Sequence, residues 1–144
     1  MKTVKQVLDS KGYQIHSAPP TITVFEALQR MAQEGIGALV VLDGGELAGI
    51  VSERDFARKM ILKGRLSKET QISEIMTRTV ICVTPDHSIA ECMALMTENR
   101  VRHLVIRESQ RISGLISIGD IVKAIIDDQQ STIQQLEHYI SGGS

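Results

Sequence analysis

PTITVFEALQRMAQEGIGALVVLDGGELAGIVSERDFARKMI, residues 20–61, decides the fold, because residues 85–126 say it again as PDHSIAECMALMTENRVRHLVIRESQRISGLISIGDIVKAII. The copies align without a gap, 65 residues apart: Pro20 falls on Pro85, Glu26 on Glu91 and Met31 on Met96. Gly49, Ser52 and Asp55 fall on Gly114, Ser117 and Asp120. An ungapped repeat of this length is one supersecondary unit used twice. The expected fold has an approximate two-fold axis, and anything bound between the halves meets two related sites.

Size and composition bound what such a chain does. The 144 residues suit one compact domain or two very small ones. Each half is near the lower limit for an independent core, so the halves are expected to share one. A net charge of −1 gives no global field favouring nucleic acid or a membrane surface. MKTVKQVLDSKGYQIH at the N-terminus lacks the apolar run of a secretory signal. The run Ala38–Leu42 is far too short to span a bilayer. Cys82 and Cys92 show no CxxC spacing and read as buried thiols in a reducing cytosol. Four scattered histidines argue against zinc, and no metal is expected.

Around the repeat, apolar periodicity orders the elements. Each copy begins with a short strand (15–17; 80–83) and continues into an amphipathic helix. That helix sets Val24, Leu28, Met31 and Ala32, or Ile89, Met93 and Met96, on a core face. Two strands follow (38–42 and 47–51; 103–107 and 112–116), joined in the first copy by a D-G turn that signals a hairpin. A second helix closes each copy (53–63; 118–128). The fold class is α/β (α+β): two β-α-β-β-α repeats packed with pseudo-two-fold symmetry. The division expected is 1–64 for the first repeat with its N-terminal segment and 65–129 for the linker and second repeat. Residues 130–144 form a C-terminal helix and tail. In the linker, Ser73–Met76 is expected to form a short helical turn. In the tail, Ile133, Leu136 and Ile140 stand at helical spacing, a stripe that either folds back or meets another subunit. SGGS at the end is expected to fray.

The chemistry gathers at GIVSERD (49–55) and GLISIGD (114–120). In each, a strand ends at a serine able to cap the next helix, with an aspartate three residues on. One reading is a capping box that satisfies helix N–H groups and does nothing else. An internal comparison favours more. The first helix of each copy opens with a box that uses glutamate (Thr23 with Glu26; Ser88 with Glu91), whereas both second helices use the shorter aspartate. A carboxylate spared from capping accepts hydrogen bonds from a diol, as acidic residues hold ribose in dinucleotide folds. The helix N-terminus beside it suits a phosphate.

The doubled unit, with G-hydrophobic-hydrophobic-S-x-x-D closing each third strand, resembles the CBS-domain family, two copies of which form a Bateman module. The resemblance runs from about Val7 to Ile126 and includes Ile75-Met76-Thr77 and RHLVI at 102–106. It is especially similar to stand-alone two-repeat bacterial proteins. The resemblance implies adenosine nucleotides as ligands: AMP, ADP, ATP, NAD or S-adenosylmethionine, with no catalytic cofactor. It implies that Asp55 and Asp120 hold ribose, while Ser52 and Ser117 face ribose or phosphate. It draws each adenine pocket from the other repeat. For the Asp55 site these are Ser73, Met76, Thr77, Arg78, Val101 and Arg102; for the Asp120 site they are Leu8, Tyr13, Ile36, Gly37 and Ala38. Basic residues at the start of the second strand, Arg102 and His103, are implied to meet phosphate.

The copies are unequal. Gly37-Ala38 stands where the second copy has Arg102-His103, and Gly119 stands where the first has Arg54. Arg102 and His103 also fit a solvated edge. Of the helix cations, Arg54 faces the site, and Arg58, Lys59 and Lys63 read as a solvated face. Lys11 and Gly12 are placed to close over a phosphate.

No residue pattern supplies a nucleophile with a base, a G-x-S-x-G elbow or a Walker loop, so an enzyme is not expected. The expected function is a cytoplasmic nucleotide sensor, a homodimer as the resemblance implies, whose output acts in trans on an effector protein. The alternative is a ligand-free interaction or structural dimer on the same scaffold. A nucleic-acid binder using the Arg/Lys helix is the third reading, and the near-neutral charge opposes it.

Overall fold

A computed structural model describes residues 2–141; of the SGGS tail expected to fray, 142–144 lie outside the described residues. Two compact units emerge. One takes the residues up to Gln14 together with those from Ile81 onward; the other is Ile15–Val80. The segment ahead of each repeat therefore packs with the other repeat. Instead of the single core expected, each unit closes an apolar cluster of its own.

In the unit Ile15–Val80, β1 (Ser17–Ala18) pairs parallel with β2 (Ala38–Asp43), which pairs antiparallel with β3 (Glu46–Ser52). The helix α2 (Val24–Glu34) lies between β1 and β2 in sequence, capped by Thr23. It buries Val24, Ala27 and Met31, the 3.6-residue spacing that the sequence shows. Ile72, Ile75 and Met76, from the segment after the repeat, complete this core. A 3₁₀ turn, Ile72–Glu74, takes the place of the expected helical turn. The second unit repeats the plan with α1 (Val4–Lys11) as its leading segment, then β4 (Cys82–Val83), α4 (Ile89–Asn99), β5 (His103–Glu108), β6 (Arg111–Ser117) and α5 (Ile118–Ile140). Even the bulge recurs, between Val41 and Leu42 and between Ile106 and Arg107, which are equivalent positions.

Four differences from expectation have local causes. The sequence signal for α1 is a Thr3/Gln6 capping box with Val4, Val7 and Leu8 on one face; all three are buried. The helix after β3 is α-helical only over α3 (Glu53–Phe56) and widens into a π-helical turn, Ala57–Ile61, that turns Met60 into the core. Helix α5 does not stop near Asp128 and does not fold back: it runs unbroken into the tail, which stays exposed. Cys82 is exposed on its short edge strand, whereas Cys92 is buried as expected and burial pushes its thiol up to about 11.

Candidate functional site

Both serine–aspartate junctions form where a third strand hands over to a helix. In the first, the Ser52 hydroxyl accepts from the Asp55 N–H (3.3 Å) and the Ser52 N–H donates to Asp55 Oδ2 (3.0 Å). In the second, the Ser117 hydroxyl accepts from the Asp120 N–H (3.1 Å) and the Ser117 N–H donates to Asp120 Oδ2 (2.8 Å). Aspartate thus closes the box in both copies, against the expectation that its shorter arm would leave it spared. The backbone brings the two groups close enough for one carboxylate oxygen, and the argument for a ligand passes to the other. The first N–H of each helix is held by the start of the second strand, Glu53 N–H by the Gly37 carbonyl (3.1 Å) and Ile118 N–H by the Arg102 carbonyl (2.9 Å).

The glycine of each motif lets the exchanged segment pass. A Cβ on Gly49 would meet the Thr77 carbonyl at 2.7 Å and Met76 Sδ at 3.0 Å. One on Gly114 would meet Leu8 Cδ2 at 2.9 Å. Ile50 and Thr77 then pair as an antiparallel bridge, Ile50 N–H to the Thr77 carbonyl (3.0 Å) and Thr77 N–H to the Ile50 carbonyl (2.8 Å).

From there the copies diverge. Asp55 is 8% exposed, and its Oδ1 receives the Thr77 hydroxyl (2.9 Å) and the Lys59 ammonium (3.1 Å). Lys59 also donates to the Ile75 carbonyl (2.9 Å). It is therefore no solvated-face cation but a strut between helix and exchanged segment. Asp120 receives the Lys11 ammonium at 2.6 Å, again on Oδ2, and Lys11 donates to the Leu115 carbonyl as well (2.8 Å). Among the described residues no partner is found for Asp120 Oδ1. Burial pushes the Asp120 carboxyl up, but the Lys11 ammonium, with help from the Ser117 N–H and hydroxyl, outweighs it and holds the group below the usual carboxylate value.

The other residues singled out in the sequence divide between the units. Ser73, Met76, Thr77 and Arg78 lie in the unit of Asp55, where the Arg78 guanidinium donates to the Ser73 carbonyl (3.2 Å). Ile36, Gly37, Ala38 and the exposed Arg54 are in that unit too. Leu8, Lys11 and Tyr13 lie in the unit of Asp120, with the Tyr13 hydroxyl donating to Asp9. Val101, Arg102, His103 and the exposed Gly119 share it. Met31 and Met96 are buried, core residues as expected. Among the described residues no cluster of three or more His, Cys, Asp or Glu could hold a metal ion.

The CBS-domain profile matches residues 4–62 and 72–127. The chain belongs to the CBS-domain family. It is 40% identical to the CBS domain-containing protein CBSX3, mitochondrial, of Arabidopsis thaliana over 98% of this chain and 73% of that one. A protein with CBS domains from Burkholderia ambifaria MC40-6 superposes with a TM-score of 0.85 at 50% identity, over 89% of this chain and 96% of that one. The CBS domain pair of protein MJ0100, solved with 5′-methylthioadenosine and S-adenosyl-L-methionine, superposes with a TM-score of 0.78 over 89% and 98% of the two chains. At 24% identity that likeness speaks for the fold. Both CBS repeats recognised in the sequence are thus present, as a pair of three-stranded α+β units. Among the described residues no helix is long and apolar enough to cross a membrane.

Proposed function

We propose that this CBS pair is a regulatory module that binds an adenosine nucleotide at the Asp120 junction and signals in trans. The observation that carries the reading is the state of the Asp120 carboxylate. Its Oδ2 is fixed by the Ser117 N–H and Lys11, while among the described residues Oδ1 has no partner. A fixed carboxylate with a spare oxygen is a preset acceptor for a ribose diol, and binding loses less entropy at a preset group. The N-terminus of the long helix α5 and the Lys11 ammonium beside it favour a ligand that carries phosphate. AMP, ADP, ATP and NAD all present a ribose with phosphate. The MJ0100 pair, with its two adenosine ligands, supports the adenosine class. On this reading Gly119 keeps the helix start open to the ligand. Ser117 meets the ribose or phosphate, with Leu8 and Tyr13 on one side of the adenine. Asp55, Ser52 and Arg54, with Ser73, Met76, Thr77 and Arg78, form the related second site. The module is cytoplasmic, dimeric and non-catalytic, and an effector protein reads the shift between packing states, a shift limited by the ligand's differential affinity for them.

A specific observation favours the structural alternative at one of the two sites. Asp55 has both oxygens engaged within its own unit. There the motif serves chiefly to bolt Thr77 and the exchanged segment to the sheet.

Thermal unfolding with millimolar AMP, ADP, ATP, NAD and S-adenosylmethionine tests the reading. Ligand at ~100 times its dissociation constant adds about 2.7 kcal/mol, several degrees for a domain of this size. A shift that Asp120→Asn abolishes establishes the sensor; no shift with any compound leaves the ligand-free dimer.

A further inference from the structure

Helix α5 buries Ile121 and Ala124 against its own unit, and past these it carries no buried residue. Its outer face is apolar: Val122 is 44% exposed, Ile126 47%, Ile133 52%, Leu136 56% and Ile140 81%. With Gln129 these positions alternate at spacings of four and three residues, and at about 3.6 residues per turn they form a single stripe roughly 80° wide. That is the a/d seam of a coiled coil, a at 126, 133 and 140, d at 122, 129 and 136. The sequence reading left open whether this tail folds back or meets another subunit, and the exposed, unbroken helix excludes the first.

We propose that the seam pairs with the same seam of a second copy, the two α5 helices running antiparallel. The register is self-complementary. Setting Ile133 against the partner's Gln129 also sets Ile126 against the partner's Leu136 and Val122 against the partner's Ile140, and two-fold symmetry repeats each layer. The flanks decide the direction. Beside the seam lie Lys123, Gln130 and Glu137 on one side and Ile118, Ile125, Thr132 and Tyr139 on the other. The antiparallel register puts Lys123 next to the partner's Glu137 twice and closes Ile125 on the partner's Tyr139. A parallel pair would put Lys123 beside the partner's Ile118 and Glu137 beside the partner's Thr132, and would stack the two Gln129 side chains in the seam. The ion pairs found among the described residues include neither Lys123 nor Glu137, so both charges are available to a second copy.

Sedimentation equilibrium across a concentration series tests the pairing, with circular dichroism to confirm that each variant keeps its helix. The wild-type chain is expected at the mass of two copies. Ile133→Asp combined with Leu136→Asp, both on the exposed face, should weaken association by more than roughly a hundredfold. Lys123→Glu or Glu137→Lys alone should weaken it by about threefold or more, since each sets like charges side by side, and the double reversal should restore it. A monomeric wild-type chain would mean that a different partner covers the stripe and would overturn the proposal. So would a dimer indifferent to the two aspartates, which associates by another face. Charge reversals without effect, or without mutual rescue, would overturn the antiparallel register.

Discussion

The Asp55 and Asp120 junctions are the same seven-residue motif folded the same way, yet one is sealed and the other is held by a single long side chain. The difference comes from an exchange of lysines. Where the first copy has Lys59, the second has Ala124; where the leading segment of the second unit has Lys11, the linker has Met76. Each carboxylate therefore receives one ammonium, from its own helix in one case and from the exchanged segment in the other. The carbonyl of Ile50 is answered by the Thr77 N–H, and the equivalent carbonyl of Leu115 by Lys11 Nζ. In the Asp55 unit the backbone bridge, a threonine and a lysine all bind the segment. In the Asp120 unit Lys11 makes both polar contacts at the junction, and the segment is tied by backbone bonds farther off, Val4 N–H to the His87 carbonyl and Lys5 N–H to the Pro85 carbonyl. A motif that looks duplicated in sequence has thus divided its contacts: one copy engages both carboxylate oxygens, and the other engages one.

Substitutions that separate the two junctions put this to the test. Gly49→Ala should be the most damaging, about 2–3 kcal/mol in urea unfolding, because its new methyl meets backbone oxygen. Gly114→Ala should cost less, since the Leu8 side chain can turn aside. Equal losses would mean that the two segments are held alike. Asp55→Ala should cost about 2 kcal/mol by stranding the Thr77 hydroxyl and Lys59, against ~1 kcal/mol, the loss of a cap, for Asp120→Ala. Thr77→Val should cost about 1 kcal/mol by removing the hydroxyl that reaches Asp55. The smallest effect on stability is expected for Lys11→Met, a few tenths of a kcal/mol at neutral pH. Its signature is electrostatic. The folded-state pKa of Asp120 lies below its unfolded value, so the stability it contributes is present above the unfolded carboxylate pKa and is lost as pH falls through the folded one. Removing Lys11 should raise that folded pKa and shrink the acid-side loss, read by carbon-detected NMR titration of the carboxyl. An Asp120 titration indifferent to Lys11 would dissolve the contrast between the junctions.

Much of this was legible in the residues. The ungapped repeat gave the element order of both units, and the continuous apolar run of Leu39, Val40 and Val41, with its equivalent Leu104, Val105 and Ile106, placed the central strands. The motif placed both aspartates at strand–helix junctions. What escaped is long-range. Nothing local says that Val4, Val7 and Leu8 pack with residues beyond Ile81. The bond from Lys11 to Asp120 spans 109 positions. The role of Gly49 was hidden too, because what it makes room for is a carbonyl 28 residues away. Lys59 read as a surface cation because its neighbours Arg58 and Lys63 are exposed, and only the packing of Ile75 beside it shows otherwise. The contrast between glutamate and aspartate boxes rested on a mistaken premise, since both aspartates do cap.

The exchange of leading segments also sets a timetable for biosynthesis. Domains fold as units while the chain emerges at roughly 5–20 residues per second. The unit Ile15–Val80 has every residue it needs once Val80 is clear of the ribosome. Helix α1 is made before any of it but has its docking surface in residues that come last: Val83, Ile89, Leu104, Ile116 and Ile121. An apolar face made ahead of the first repeat is thus covered only after the second repeat has been made. It waits through the making of a whole repeat, and the short α1, helix-forming only marginally by itself, exposes little that a neighbouring nascent chain could seize.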